Sequence, residues 1–64
     1  MTCLRCEIVR AKIIAMGLAG FRHDAKYIAK DLQGRYGMDY YHKGNKVYRN
    51  GENEEEVLIV EARS

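Results

Sequence analysis

Glu56–Val57–Leu58–Ile59–Val60–Glu61 sets four consecutive apolar residues, three of them β-branched, between two acids. Branched side chains pack well on a pleated surface, and the run is short, so it predicts a strand rather than a buried helical turn. Strict alternation along that strand sends Leu58, Val60 and Ala62 to one face and Val57 and Ile59 to the other. Both faces then need cover.

Working back from this strand, Lys46–Asn50 and Met38–His42 read as two further strands. They are joined by Lys43–Gly44–Asn45, a hairpin-sized link with residues suited to positive φ. Asn50–Gly51 opens a second turn, extended by Glu52–Asn53–Glu54. Before the strands the period changes to that of a helix. From about Arg22 to Tyr36, the residues Ala25, Ile28, Ala29, Leu32 and Tyr36 share one face. Asp24 stands at the start of this helix and Arg35 near its end, as the helix dipole favours, and Gly34 or Gly37 can close it.

The first segment, about Thr2 to Met16, also has helical spacing. Leu4, Ile8, Ala11, Ala15 and Leu18 share a face, with Thr2 as the cap and Gly17 or Gly20 as the stop. A strand through Glu7–Ile14 competes, but the alanines at 11 and 15 and the poor alternation around Arg10 and Lys12 favour the helix. A second apolar set, Cys6, Val9, Ile13 and Met16, falls on nearly the opposite side. The expected fold is a single α+β domain over residues 1–64, with two helices packed on a three-stranded antiparallel meander.

Sixty-four residues bury a marginal core, about 60% of the unfolded surface. The apolar fraction of 47% and charged fraction of 31% exclude a disordered chain. No apolar run approaches the roughly 20 residues of a membrane span. Arg5, Glu7 and Arg10 interrupt the start where a secretory signal would be apolar, so the protein is read as cytoplasmic. The net charge of +2 conceals an asymmetry. Residues 1–49 carry ten Lys/Arg and four Asp/Glu, or +6, and residues 50–64 carry one Arg and five Glu, or −4. A basic body points to a polyanionic partner.

Few residues suit catalysis. His23 and Asp24 are adjacent, so a helix splays them apart. The hydroxyl nucleophiles are confined to Thr2 and Ser64. The expectation is a non-enzymatic protein with no cofactor and no metal. Glu52, Glu54, Glu55 and Glu56 lack the spacing of a calcium loop and read as a solvated turn guarding a strand. Cys3 and Cys6 form a Cys-x-x-Cys pair. With only two residues before it, no strand can present the pair as in redox enzymes, and a zinc site would need two more ligands. Cys6 is therefore expected in the core and Cys3 in a frayed end.

The remaining signal is basic and aromatic. Arg22, Lys26 and Lys30 repeat at helical spacing beside the apolar face, with Gln33 on their flank and Tyr27 exposed nearby. The hairpin adds Tyr41, Lys43, Lys46 and Arg49. Lysines and arginines among tyrosines suit phosphate neutralisation and base stacking, so the leading expectation is nucleic-acid binding or accessory regulation through these eight residues. The alternative is a homodimeric protein-interaction module. Its seam would be the spare sheet face, Val57 and Ile59, or the spare face of the first helix, Val9 and Ile13, because one chain cannot cover both.

Overall fold

The computed structural model describes residues 3–51, 53 and 55–62. The chain is α+β, in the order α1 (Leu4–Gly20), α2 (Ala25–Tyr36), β1 (Tyr40–Lys43), β2 (Lys46–Asn50) and β3 (Glu56–Glu61). The strands form one antiparallel sheet in the order β1-β2-β3, as the sequence predicts. Both helices lie on one face of it, α1 against β3 and α2 against β1 and β2. Among the described residues no helix is long and apolar enough to cross a membrane.

The caps differ from the expected ones. Cys3, with extended φ/ψ of −75° and 119°, caps α1, and its sulfur accepts the Cys6 N–H at 3.4 Å. Thr2, the expected cap, lies outside the described residues. The helix also runs through both candidate stop glycines. Its end is a Schellman motif: Arg22 N–H donates to Ala19 O at 3.0 Å, and His23 N–H donates to Leu18 O at 3.2 Å. The left-handed position that this motif needs, φ 65°, is held by Arg22 instead of glycine. α2 then starts at Ala25, three residues later than predicted, because Asp24 is its N-cap and accepts the Tyr27 N–H at 2.8 Å. Gly37, at φ 133°, turns the chain from α2 into β1, a conformation essentially restricted to glycine.

β1 and β2 pair from Tyr40↔Arg49 to Lys43↔Lys46, which leaves Gly44 and Asn45 as a two-residue turn. Gly44 has φ 58° and Asn45 does not have positive φ, the sign pattern of a type II′ hairpin. Between β2 and β3 the register breaks. Val47 pairs with Val60 but Tyr48 pairs with Leu58, so Ile59 is an extra, bulged residue. The bulge corrects the predicted alternation. Opposed residues share a face, so Val60 follows buried Val47 inward, and Ile59 is buried too. Val57, Ile59, Val60 and Ala62 pack in or against the core, while Leu58 alone of the apolar run turns outward, 46% exposed. The sheet therefore has no spare apolar face made of Val57 and Ile59, and the expected dimer seam at those two residues is not available at the surface.

The core joins Ile28, Leu32 and Ala29 of α2 to Tyr40, Val47 and Ile59 of the sheet, with Ala11, Ala15 and Ala19 of α1 closing the top. Ile28, Leu32 and Val47 are fully buried, worth about 1.5–3 kcal/mol each in transfer free energy. The three alanines let α1 approach closely but bury little.

Candidate nucleic-acid interface

Arg49, a predicted phosphate contact, does not face solvent. Strand alternation puts it on the same side as Val47, under α1. Its Nε donates to Glu7 Oε2 at 3.0 Å, Asp39 Oδ2 lies 3.6 Å from its Nη2, and its guanidinium stands 5.4 Å from the Tyr40 ring centre. The Arg49 and Glu7 side chains are only 13% and 14% exposed. The Tyr40 hydroxyl donates to the same Glu7 oxygen at 3.0 Å. Burial, then the Glu7 contact, pushes the Tyr40 phenol up to about 12. This cluster fastens α1 to the sheet. Arg49 is engaged in this cluster rather than presented to solvent.

Tyr41, Lys43 and Lys46 do lie on the outer sheet face, with Tyr48 and Leu58. The Tyr41 and Tyr48 rings stack at 5.8 Å, and Lys43 Nζ sits 5.7 Å and 6.0 Å from their centres. The cations here are already matched. Lys43 is paired with Glu56, which also accepts the Tyr41 hydroxyl at 2.8 Å, and Lys46 lies 3.9 Å from Glu61. The Glu56 carboxylate raises the Lys43 pKa, and Lys43 in turn lowers that of Glu56. Glu52 and Glu54 lie outside the described residues. Among those described, no three His, Cys, Asp or Glu come together as a metal site.

The helical layer is different. Lys26, Tyr27 and Lys30 project from the solvent side of α2, opposite Ile28 and Leu32, and Arg22 is exposed just ahead of them. Tyr27 is half exposed, and its ring stacks on His23 at 4.2 Å with 18° between planes. A pre-stacked pair bounded by cations offers a flat platform to a base. Gln33, one turn beyond Lys30 on the same flank, donates to the Tyr40 carbonyl of edge strand β1 at 2.7 Å. That bond fixes the flank of α2 against the sheet.

α1 carries Arg5, Arg10 and Lys12, all exposed, which the sequence reading had not assigned to a site. At about 100° per residue they border the apolar stripe of Val9, Ile13 and Met16, and a helical projection of the sequence would have found them. Val9, Ile13 and Met16 are 57%, 65% and 65% exposed, and Phe21 at the helix end is 80% exposed. The predicted site thus divides in two. Its α2 half is solvent-facing, and none of its cations makes an ion pair among the described residues. Its hairpin half is neutralised or buried.

Compared with protein-family models, with curated proteins and with solved structures, the chain matches none.

Proposed function

We propose that this protein binds a polyanion, a nucleic acid, through its helical layer. One observation carries the proposal. Arg5, Arg10, Lys12, Arg22, Lys26 and Lys30 all stand on α1, α2 or the link between them, and none has an ion-pair partner among the described residues. Every cation of the described strands has one. Unmatched cations on one layer attract phosphates, because binding releases condensed counterions. The Tyr27–His23 stack adds a sequence-tolerant contact for unpaired bases, so single strands are preferred over duplex.

The test is fluorescence anisotropy with labelled single- and double-stranded oligonucleotides over a salt series. Six phosphate contacts on a single strand weaken binding about three hundredfold between about 50 and 200 mM salt. Lys26→Ala with Lys30→Ala flattens the plot of log affinity against log salt by about two. Lys43→Ala with Lys46→Ala leaves it unchanged. A larger loss from the hairpin pair, or no binding at low salt, overturns the proposal.

A second function is favoured by the α1 stripe. Two copies crossing at Ile13 would cover Val9, Ile13 and Met16 of both chains, making the protein a homodimeric interaction module. Light scattering of the wild type and Ile13→Lys decides this point. A wild type that stays monomeric at high micromolar concentration rejects it.

A further inference from the structure

The start of α1 brings together two thiols that the binding surface does not use. Cys3 and Cys6 are free and exposed, against the expectation that Cys6 is buried and Cys3 frayed. Cys3 is the N-cap, so its sulfur lies where the unpaired N–H groups of the first turn converge, and it already accepts the Cys6 N–H at 3.4 Å. No preceding strand is needed, because the cap alone aims the sulfur at the helix end. The Cys3 sulfur stands over the first turn, 3.4 Å from the Cys6 amide nitrogen, and a small shift of the N-cap residue that draws the two Cβ atoms to about 3.5–4.5 Å closes a disulfide. Beside Cys3, an open cleft of about 440 Å³ lies between α1 and the β2–β3 turn, bordered by Arg5, Ile8 and Val57.

We propose that Cys3 and Cys6 are a dithiol–disulfide exchange site for low-molecular-weight disulfides, with Cys3 the attacking and Cys6 the resolving sulfur. The two thiols are driven apart in acidity. The Cys6 thiol, and after it the Cys6 backbone N–H, lowers the Cys3 pKa, while the Cys3 sulfur raises that of Cys6. Arg5 also favours the Cys3 thiolate. The thiolate is the nucleophile in exchange, so Cys3 reacts first while Cys6 stays protonated in reserve.

The Cys3 thiolate attacks one sulfur of the small disulfide, whose S–S bond breaks. One small thiolate leaves and takes a proton from water, and a mixed disulfide remains on Cys3. Cys6 then gives its proton to water and attacks the Cys3 sulfur, expelling the second small thiol. One disulfide enters and two thiols leave. Two electrons pass from the protein to the small molecule, and the protein keeps a Cys3–Cys6 disulfide. A thiol reductant reverses the sequence.

The test uses oxidised glutathione and the full chain at pH 7, with acid quenching and mass spectrometry. Ser is itself a good N-cap and Cys6 is exposed, so Cys3→Ser and Cys6→Ser both fold, which circular dichroism verifies. The wild type should lose two hydrogens and retain no adduct. Cys6→Ser should accumulate one glutathione adduct on Cys3, and Cys3→Ser should react about tenfold more slowly than Cys6→Ser. Stable adducts on both cysteines of the wild type, or equal rates for the two variants, overturn the proposal.

Discussion

Replacing Arg49 by Met tests whether the cluster under α1 holds the fold together. The guanidinium has two carboxylates, Glu7 at 3.0 Å and Asp39 at 3.6 Å, and Glu7 has one further partner, the Tyr40 hydroxyl. In Arg49→Met the Glu7 carboxylate stays in place with its side chain 14% exposed and only that hydroxyl to stabilise it. Removing one partner of a fully buried pair costs about 3–5 kcal/mol, because the other charge is left desolvated, and this part-buried pair falls at the lower end of that range. A chain of 64 residues has a total stability of about 3–10 kcal/mol. The variant therefore loses about a third or more of that stability, its melting temperature lower by more than about 12 °C. Urea and thermal unfolding followed by circular dichroism measure this. Glu7→Leu with Arg49→Met removes both charges and should recover most of the loss, short of the roughly 1 kcal/mol from the orphaned Tyr40 hydroxyl. Lys43→Met, whose pair with Glu56 is exposed, is the control and should leave the melting temperature almost unchanged. If Arg49→Met costs no more than Lys43→Met, or the double variant is no better than the single, the cluster is not the fastening described here.

Three further predictions concern stability. The Tyr40 phenol titrates near 12 when folded and near the usual 10 when unfolded, so the native state holds its proton more tightly. Its contribution is complete below pH 10 and is lost as pH rises from about 10 to 12; melting temperatures over that window should fall more steeply for the wild type than for Tyr40→Phe. At the end of α1, Arg22→Gly relieves the left-handed strain and should stabilise the fold by up to about 1 kcal/mol in urea titrations. Gly20→Ala, where an added Cβ meets nothing within 4 Å, should add about 0.5–1 kcal/mol.

The architecture was legible because its signals are local. The apolar spacing of Ala25, Ile28, Ala29 and Leu32 marked α2, and the glycine-bearing link at 43–45 marked the hairpin. The second apolar face of α1 was also visible, since Val9, Ile13 and Met16 recur at helical intervals. The bulge was not legible. Inside Val57–Val60 every residue is apolar, so nothing in the pattern shows where alternation slips. Arg49 was misassigned because its partner Glu7 is 42 positions away, although its alternation with Val47 already pointed inward. The division of the basic residues was hidden for the same reason. Whether a lysine is matched depends on which acid the fold brings across a strand pair. The cap at Cys3 was missed because a thiol is a weaker acceptor than the Thr2 hydroxyl beside it.

The alanine face of α1 has a kinetic consequence. Ala11, Ala15 and Ala19 each bury a single methyl, worth about 0.8 kcal/mol, against about 1.5–3 kcal/mol for Ile28 or Leu32 in α2. α1 is therefore held by half-buried Ile8, Ile14 and Leu18 and by the Glu7 tie, while α2 and the hairpin are joined to each other by neighbours in sequence. These are two cooperative units of unequal strength. The expected lowest-energy subglobal opening is one in which α1 swings off while the α2–β1–β2–β3 unit keeps its hydrogen bonds. Hydrogen exchange should then find the amides of α1, the element carrying the two thiols and the apolar stripe, less protected than those of α2 and the hairpin.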